Sequence, residues 1–130
     1  MLTTAALTLL ALMTAAVLAA AGSGSPAAIA HLAFAAGIVP LIFAAISHFV
    51  PVLTRTGDPS RRIRQLPFFA PFAGLTAAFA LQGWLPYSAV FFAAAVDLLL
   101  ALILLRWIFS RVKATLGSQH PGWRWYAGAL

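Results

Sequence analysis

The chain has 130 residues, of which 63% are hydrophobic and only 8% charged, and its mean hydropathy is +0.99. Soluble domains carry about 25% charged residues, and a soluble protein of this size has too little interior to hide so much apolar surface, so soluble globular and disordered chains are both excluded. Eight Lys and Arg against Asp58 and Asp97 give a net charge of +6, but these bases flank apolar stretches, which fits orientation against an anionic membrane surface and argues against a nucleic-acid partner.

A helical membrane span needs about 20 mostly apolar residues. Four segments qualify, at 2–21, 27–53, 66–84 and 87–109, and they predict an all-α, polytopic transmembrane bundle over residues 1–110. The first span has no charge and ends in the turn-formers Gly22-Ser23-Gly24-Ser25-Pro26. A cleaved signal is the competing reading, because Ala19-Ala20-Ala21-Gly22 would serve as a cleavage site. The missing basic n-region and the long apolar core favour a retained helix.

The second span carries Pro40 at its middle, which removes one backbone donor and frees the carbonyl of Ala36. Gly57-Asp58-Pro59-Ser60 reads as a turn, and Pro67 and Pro71 stand near the start of the third span, where proline is tolerated. Lipid gives no hydrophobic drive for helix association, so close packing at small residues matters more. Stripes of that kind are Ala11, Ala15 and Ala19, then Ala33 and Gly37, then Ala70, Gly74 and Ala78.

Orientation follows from charge. Arg55, Arg61, Arg62 and Arg64 fall between spans two and three, and Arg106, Arg111, Lys113 and Arg124 at or beyond the end of span four. Neither opposite loop has a basic residue, so the positive-inside rule puts both termini in the cytoplasm. Trp84 and Tyr87 then mark the outer interface. Trp107, Trp123, Trp125 and Tyr126 mark the inner one. Residues 111–130 read as a cytoplasmic or interfacial tail, or as the beginning of a fifth span of a longer protein.

Few residues can carry chemistry. Ionisable groups in a membrane are costly and are functional candidates for that reason. His31 falls near the outer end of span two and His48 near its inner end, 17 residues and so about 25 Å apart on a straight helix. Counted at 100° per residue they also differ by about 100° around the axis, so they cannot share one metal ion. Histidine is the commonest ligand for haem iron and for copper, and each has a plainer reading as a solvated or interfacial side chain. Asp97, at mid-depth in span four, needs a partner or a water-filled cavity. It offers a proton relay, a cation site or support for a histidine ligand, or simply a hydrogen bond to a neighbouring helix, with His31 nearest in depth. His120 reads as a loop residue. The absence of cysteine rules out thiolate metal sites and covalent c-type haem, and no P-loop, zinc-protease or nucleophile-elbow motif occurs.

His31, Gly37 and the run His48-Phe49-Val50-Pro51-Val52-Leu53-Thr54-Arg55-Thr56-Gly57 give residues 31–60 a likeness to one family. This stretch resembles the NnrS family of bacterial membrane proteins and, more loosely, the proteins related to haem–copper oxidase subunit I. It departs from that pattern where Leu32 and Ala33 follow His31 and Val52 and Leu53 follow Pro51. The resemblance implies a membrane protein that binds haem or copper through His31 and His48 in respiratory or nitrogen-oxide metabolism. The other expectations are an accessory subunit held to other membrane subunits by its small-residue faces, and a proton- or cation-coupled transporter using Asp97.

Overall fold

A computed structural model describes residues 2–115 and 120–130; residues 116–119, inside the tail expected from 111 to 130, lie outside the described residues, as does Met1. The described chain is all-helical, as the sequence predicts. Its elements are α1 (Leu2–Ala20), α2 (Pro26–Ala33), a π-helical turn (Phe34–Ile38), α3 (Val39–Thr54), α4 (Arg61–Leu81), α5 (Ser88–Lys113) and a short α6 (Trp123–Gly128). Three stretches are long and apolar enough to cross a membrane: Leu2–Ala20, the continuous Pro26–Thr54, and Ser88–Lys113.

Helix α4 does not join that set by composition, although its 21 residues reach about 31 Å. It begins five residues before the apolar run, so Arg61, Arg62 and Arg64 occupy its first turns. Its apolar part, with Ile63, Leu66, Pro67, Ala70, Ala73, Gly74, Ala77 and Ala78 buried, is the centre of the molecule. It packs against α2, the π turn, α3 and α5, while α1 leans on α2, the π turn and α3.

The interior of the second span is not a regular α-helix. Val39 N–H reaches back five residues to the carbonyl of Phe34, just ahead of the buried Pro40. Proline cannot donate, so a widened turn takes up the missing bond. The turn is also bonded from outside: Thr8 Oγ1 of α1 donates to the Gly37 carbonyl, one residue beyond the Ala36 carbonyl that Pro40 leaves without its donor, at 2.8 Å in a buried setting. Gly74 of α4 lies so close to the same turn that a Cβ there would overlap the backbone of Ala35 and Ala36 and fall 2.7 Å from the Ala35 carbonyl oxygen. A Cβ on Gly37 would stand 3.3 Å from Ala11 Cβ. Small residues therefore set the helix spacing at both crossings, as the stripes predict. Ala19 does not take part, being exposed at the end of α1.

Each end is tied off differently. At the arginine-poor end Ser25 caps α2, its Oγ accepting from Ala28 N–H at 3.1 Å and donating to the Leu81 carbonyl at 3.0 Å. Gln82 Oε1 accepts from Ser25 N–H at 2.9 Å, so the α1–α2 loop is fastened to the end of α4. At the arginine-rich end α3 stops in a left-handed residue, Arg55 (φ 51), with Thr56 N–H bonded to the Pro51 carbonyl at 3.0 Å. That pairing is the Schellman closure of a helix C-terminus, in which glycine is the usual left-handed residue.

Helix α5 runs four residues past the expected end of the fourth span, to Lys113. The tail then folds back: α6 packs on α3 and α5, with Tyr126 stacked on Phe49 at 6.3 Å and Trp123 edge-on to Phe109 at 5.9 Å. Trp123, Tyr126, Ala127 and Leu130 border the main core around Ile46, Val50, Leu104 and Ile108.

Candidate functional site

The three residues singled out in the sequence, His31, His48 and Asp97, do not come together at one site. His31 is exposed on α2, and its Nδ1 lies 3.0 Å from the Ala27 carbonyl one turn earlier. Helix α2 packs on α1 and α4, whereas α5 packs on α4, α3 and α6. The expected pairing of His31 with Asp97 is therefore not made: Asp97 Oδ1 is buried with no hydrogen-bond partner. Among the described residues no three His, Asp or Glu side chains gather as a metal site. The angular offset between the two histidines, counted for an ideal helix, does not carry over either, because the π turn between them holds an additional residue.

His48 has the richest surroundings. It is exposed on the wall of a cleft of about 600 Å³ at the arginine-rich end. The cleft draws on four parts of the chain: Thr4 of α1; Ser47, His48, Pro51 and Val52 of α3; Thr56, Asp58 and Pro59 of the following loop; and Arg64, Pro67 and Phe68 of α4. The α3–α4 turn positions it. Thr54 Oγ1 donates to the Val50 carbonyl at 2.7 Å and meets Thr56 Oγ1 at 2.9 Å, which holds Thr56 on the rim beside the left-handed Arg55. A non-glycine residue in that region costs about 1–2 kcal/mol, and such strain tends to cluster at functional sites.

The His48 ring makes an edge contact with Phe49 at 5.1 Å and no hydrogen bond to a described residue, so its nitrogens are free for a ligand. Arg64 and Asp58 put a cation and an anion on the same cleft, and Val52, Pro67 and Phe68 make its apolar surface. Such a cleft can take a flat, partly apolar molecule with an acidic edge. Sequence reasoning singled out His48 but missed Thr4, Arg64 and Phe68 as its neighbours, since each comes from another helix.

His120 is exposed in the turn before α6, where its Nδ1 accepts from Gly122 N–H at 3.1 Å, in keeping with a loop role. Trp107 Nε1, like Asp97 Oδ1, is buried without a partner. Arg111 lies over the Trp107 ring at 5.6 Å. Compared with known proteins, the chain matches no family model, no curated protein and no solved structure.

Proposed function

We propose that this chain is a four-span protein of the bacterial inner membrane, its arginine-rich end and both termini cytoplasmic, and that it holds haem through His48 in respiratory or nitrogen-oxide metabolism. The observation that carries the reading is the free imidazole of His48 on a cleft that also presents Arg64. A cleft of about 600 Å³ falls within the roughly 300–1,000 Å³ typical of cofactor and ligand sites. His48 would hold the iron through an imidazole nitrogen, Arg64 would pair with the carboxylates of the group, and Phe68, Val52 and Pro67 would supply the apolar contact. Bound there, haem supplies one-electron or small-gas chemistry. His31 is a poorer ligand, because its ring is turned to its own backbone and it does not line the His48 cleft.

Copper fits less well than haem. A histidine copper site needs several nitrogen ligands, and among the described residues Asp58 is the one other ligating group on the cleft. The direct test is optical. The full chain, purified in detergent with haem supplied, should show a Soret band that His48→Ala removes and His31→Ala leaves. A colourless wild type, or a band unchanged in His48→Ala, would contradict the assignment.

One observation favours a second reading. The buried Oδ1 of Asp97, without a hydrogen-bond partner among the described residues, lies inside α5 with no other charged residue between Arg64 and Arg106, as a proton- or cation-coupling carboxylate would. Vesicles carrying Asp97→Asn should then lose proton-coupled uptake; equal uptake by wild type and variant removes that reading.

A further inference from the structure

A second cavity shares no lining residue with the His48 cleft, and no part of the proposed function uses it. It is a groove of about 500 Å³ between α1 and α4 at the arginine-poor end, floored by α2. It exists because α1 and α4 both pack on α2 and the π turn but make no substantial contact with each other. Its walls are aliphatic, among them Leu7, Leu18, Leu75 and Ala78. Apart from Thr14, whose hydroxyl is bonded to the Leu10 carbonyl, the polar side chains collect at one end, where Ser23, Gln82 and Trp84 form the mouth. Gln82 spends its Oε1 on Ser25 N–H, and its Nε2 makes no hydrogen bond to a described residue, so an accessible donor remains there.

The dimensions decide the occupant. Pro71 marks the deep end and Gln82 the mouth, both on α4. Those 11 residues rise about 16 Å at 1.5 Å each, and half of a hydrocarbon core of about 30 Å is about 15 Å. The groove therefore spans one leaflet, apolar along its length and polar where lipid ester groups lie. We propose that it binds one acyl chain of a bilayer phospholipid from the arginine-poor leaflet, with Gln82 Nε2 donating to the ester carbonyl and Trp84 resting at the headgroup level. The inference rests on the membrane reading and is independent of haem.

The test uses the full chain purified in mild detergent and washed with lipid-free detergent, with retained phospholipid read by native mass spectrometry. Wild type should keep one lipid per chain. Thr14 is exposed, lines the groove and bonds only to its own helix through Leu10 O. Thr14→Trp should fill the groove and reduce retention at least about tenfold, the scale of losing one strong contact. Met13→Trp, on an exposed position outside the groove, should retain lipid as wild type does.

A measurement without substitutions runs beside it. In vesicles containing a phospholipid with a photoreactive acyl chain, segments 7–18 and 71–79 should be labelled several-fold more than the exposed face at Leu98 and Leu99. Wild type that retains no lipid, or uniform labelling, overturns the proposal. Protection of the groove by a crosslinked protein helix also overturns it. A chain that stays dissolved without detergent overturns the membrane reading instead.

Discussion

Glycine at position 74 is required by distance rather than by backbone angle. A methyl group there would enter the backbone of the π turn at Ala35 and Ala36, which cannot yield as a side-chain tip can. Overpacking usually costs about 1–3 kcal/mol, and a clash with backbone should reach the upper part of that range. Gly74→Ala should therefore lower the melting temperature in detergent clearly, while Gly57→Ala, which meets nothing within 4 Å, should leave it unchanged. Equal melting of the two would show that α4 does not press on the turn. The spacing Ala70, Gly74, Ala78 made this crossing legible in the sequence; the carbonyl expected to be freed by Pro40 is that of Ala36, whereas the one bonded by Thr8 is that of Gly37. The donor that serves the turn, Thr8, was not legible, because its partner lies 29 residues away and only the packing of α1 on the turn brings them together. His48 was readable as a ligand type. Its cleft was not, since Thr4 and Arg64 reach it only after α1 and α4 have packed on α3.

Among the elements, the long helices followed the apolar runs, with α4 beginning five residues early and α5 ending four late, and the interior of the second span departed from regular helix for a physical reason. The π turn has the composition of ordinary helix, Phe-Ala-Ala-Gly-Ile, and arises from the proline after it rather than from its own residues. Helix α6 packs on α3 and α5 with Trp, Tyr and Ala, residues that suit both an interface and a protein core. Its aromatic side chains are unequal. Tyr126 stacks on Phe49 and borders the core, whereas Trp125 is 82% exposed. Aromatic pairs contribute about 0.5–1.5 kcal/mol beyond burial. Tyr126→Ala should thus lower thermal stability by about that amount or more, and Trp125→Ala should have little effect on it. The reverse order would mean that α6 does not dock on α3 and α5.

For the whole molecule, both proposed sites depend on which end faces which side of the membrane. The His48 cleft belongs to the arginine-rich end and the acyl-chain groove to the other. Charge makes that polarity readable: every Lys and Arg lies in or beside the 55–64 loop or the end of α5 and the tail, and the turns at 22–25 and 82–87 have none. The energy behind the rule is the attraction of cationic loops to the anionic cytoplasmic leaflet together with the cost of moving them across. Helix α4 is the sharpest case, because its three leading arginines stay outside hydrocarbon only if its first turns remain at a membrane surface. The most direct measurement is a pair of topology reporters, one fused after Ser60 and one after Gly83. Four spans with the arginines inside predict cytoplasmic activity from the first and periplasmic activity from the second. A periplasmic reporter after Ser60, or both reporters on one side, would contradict the account.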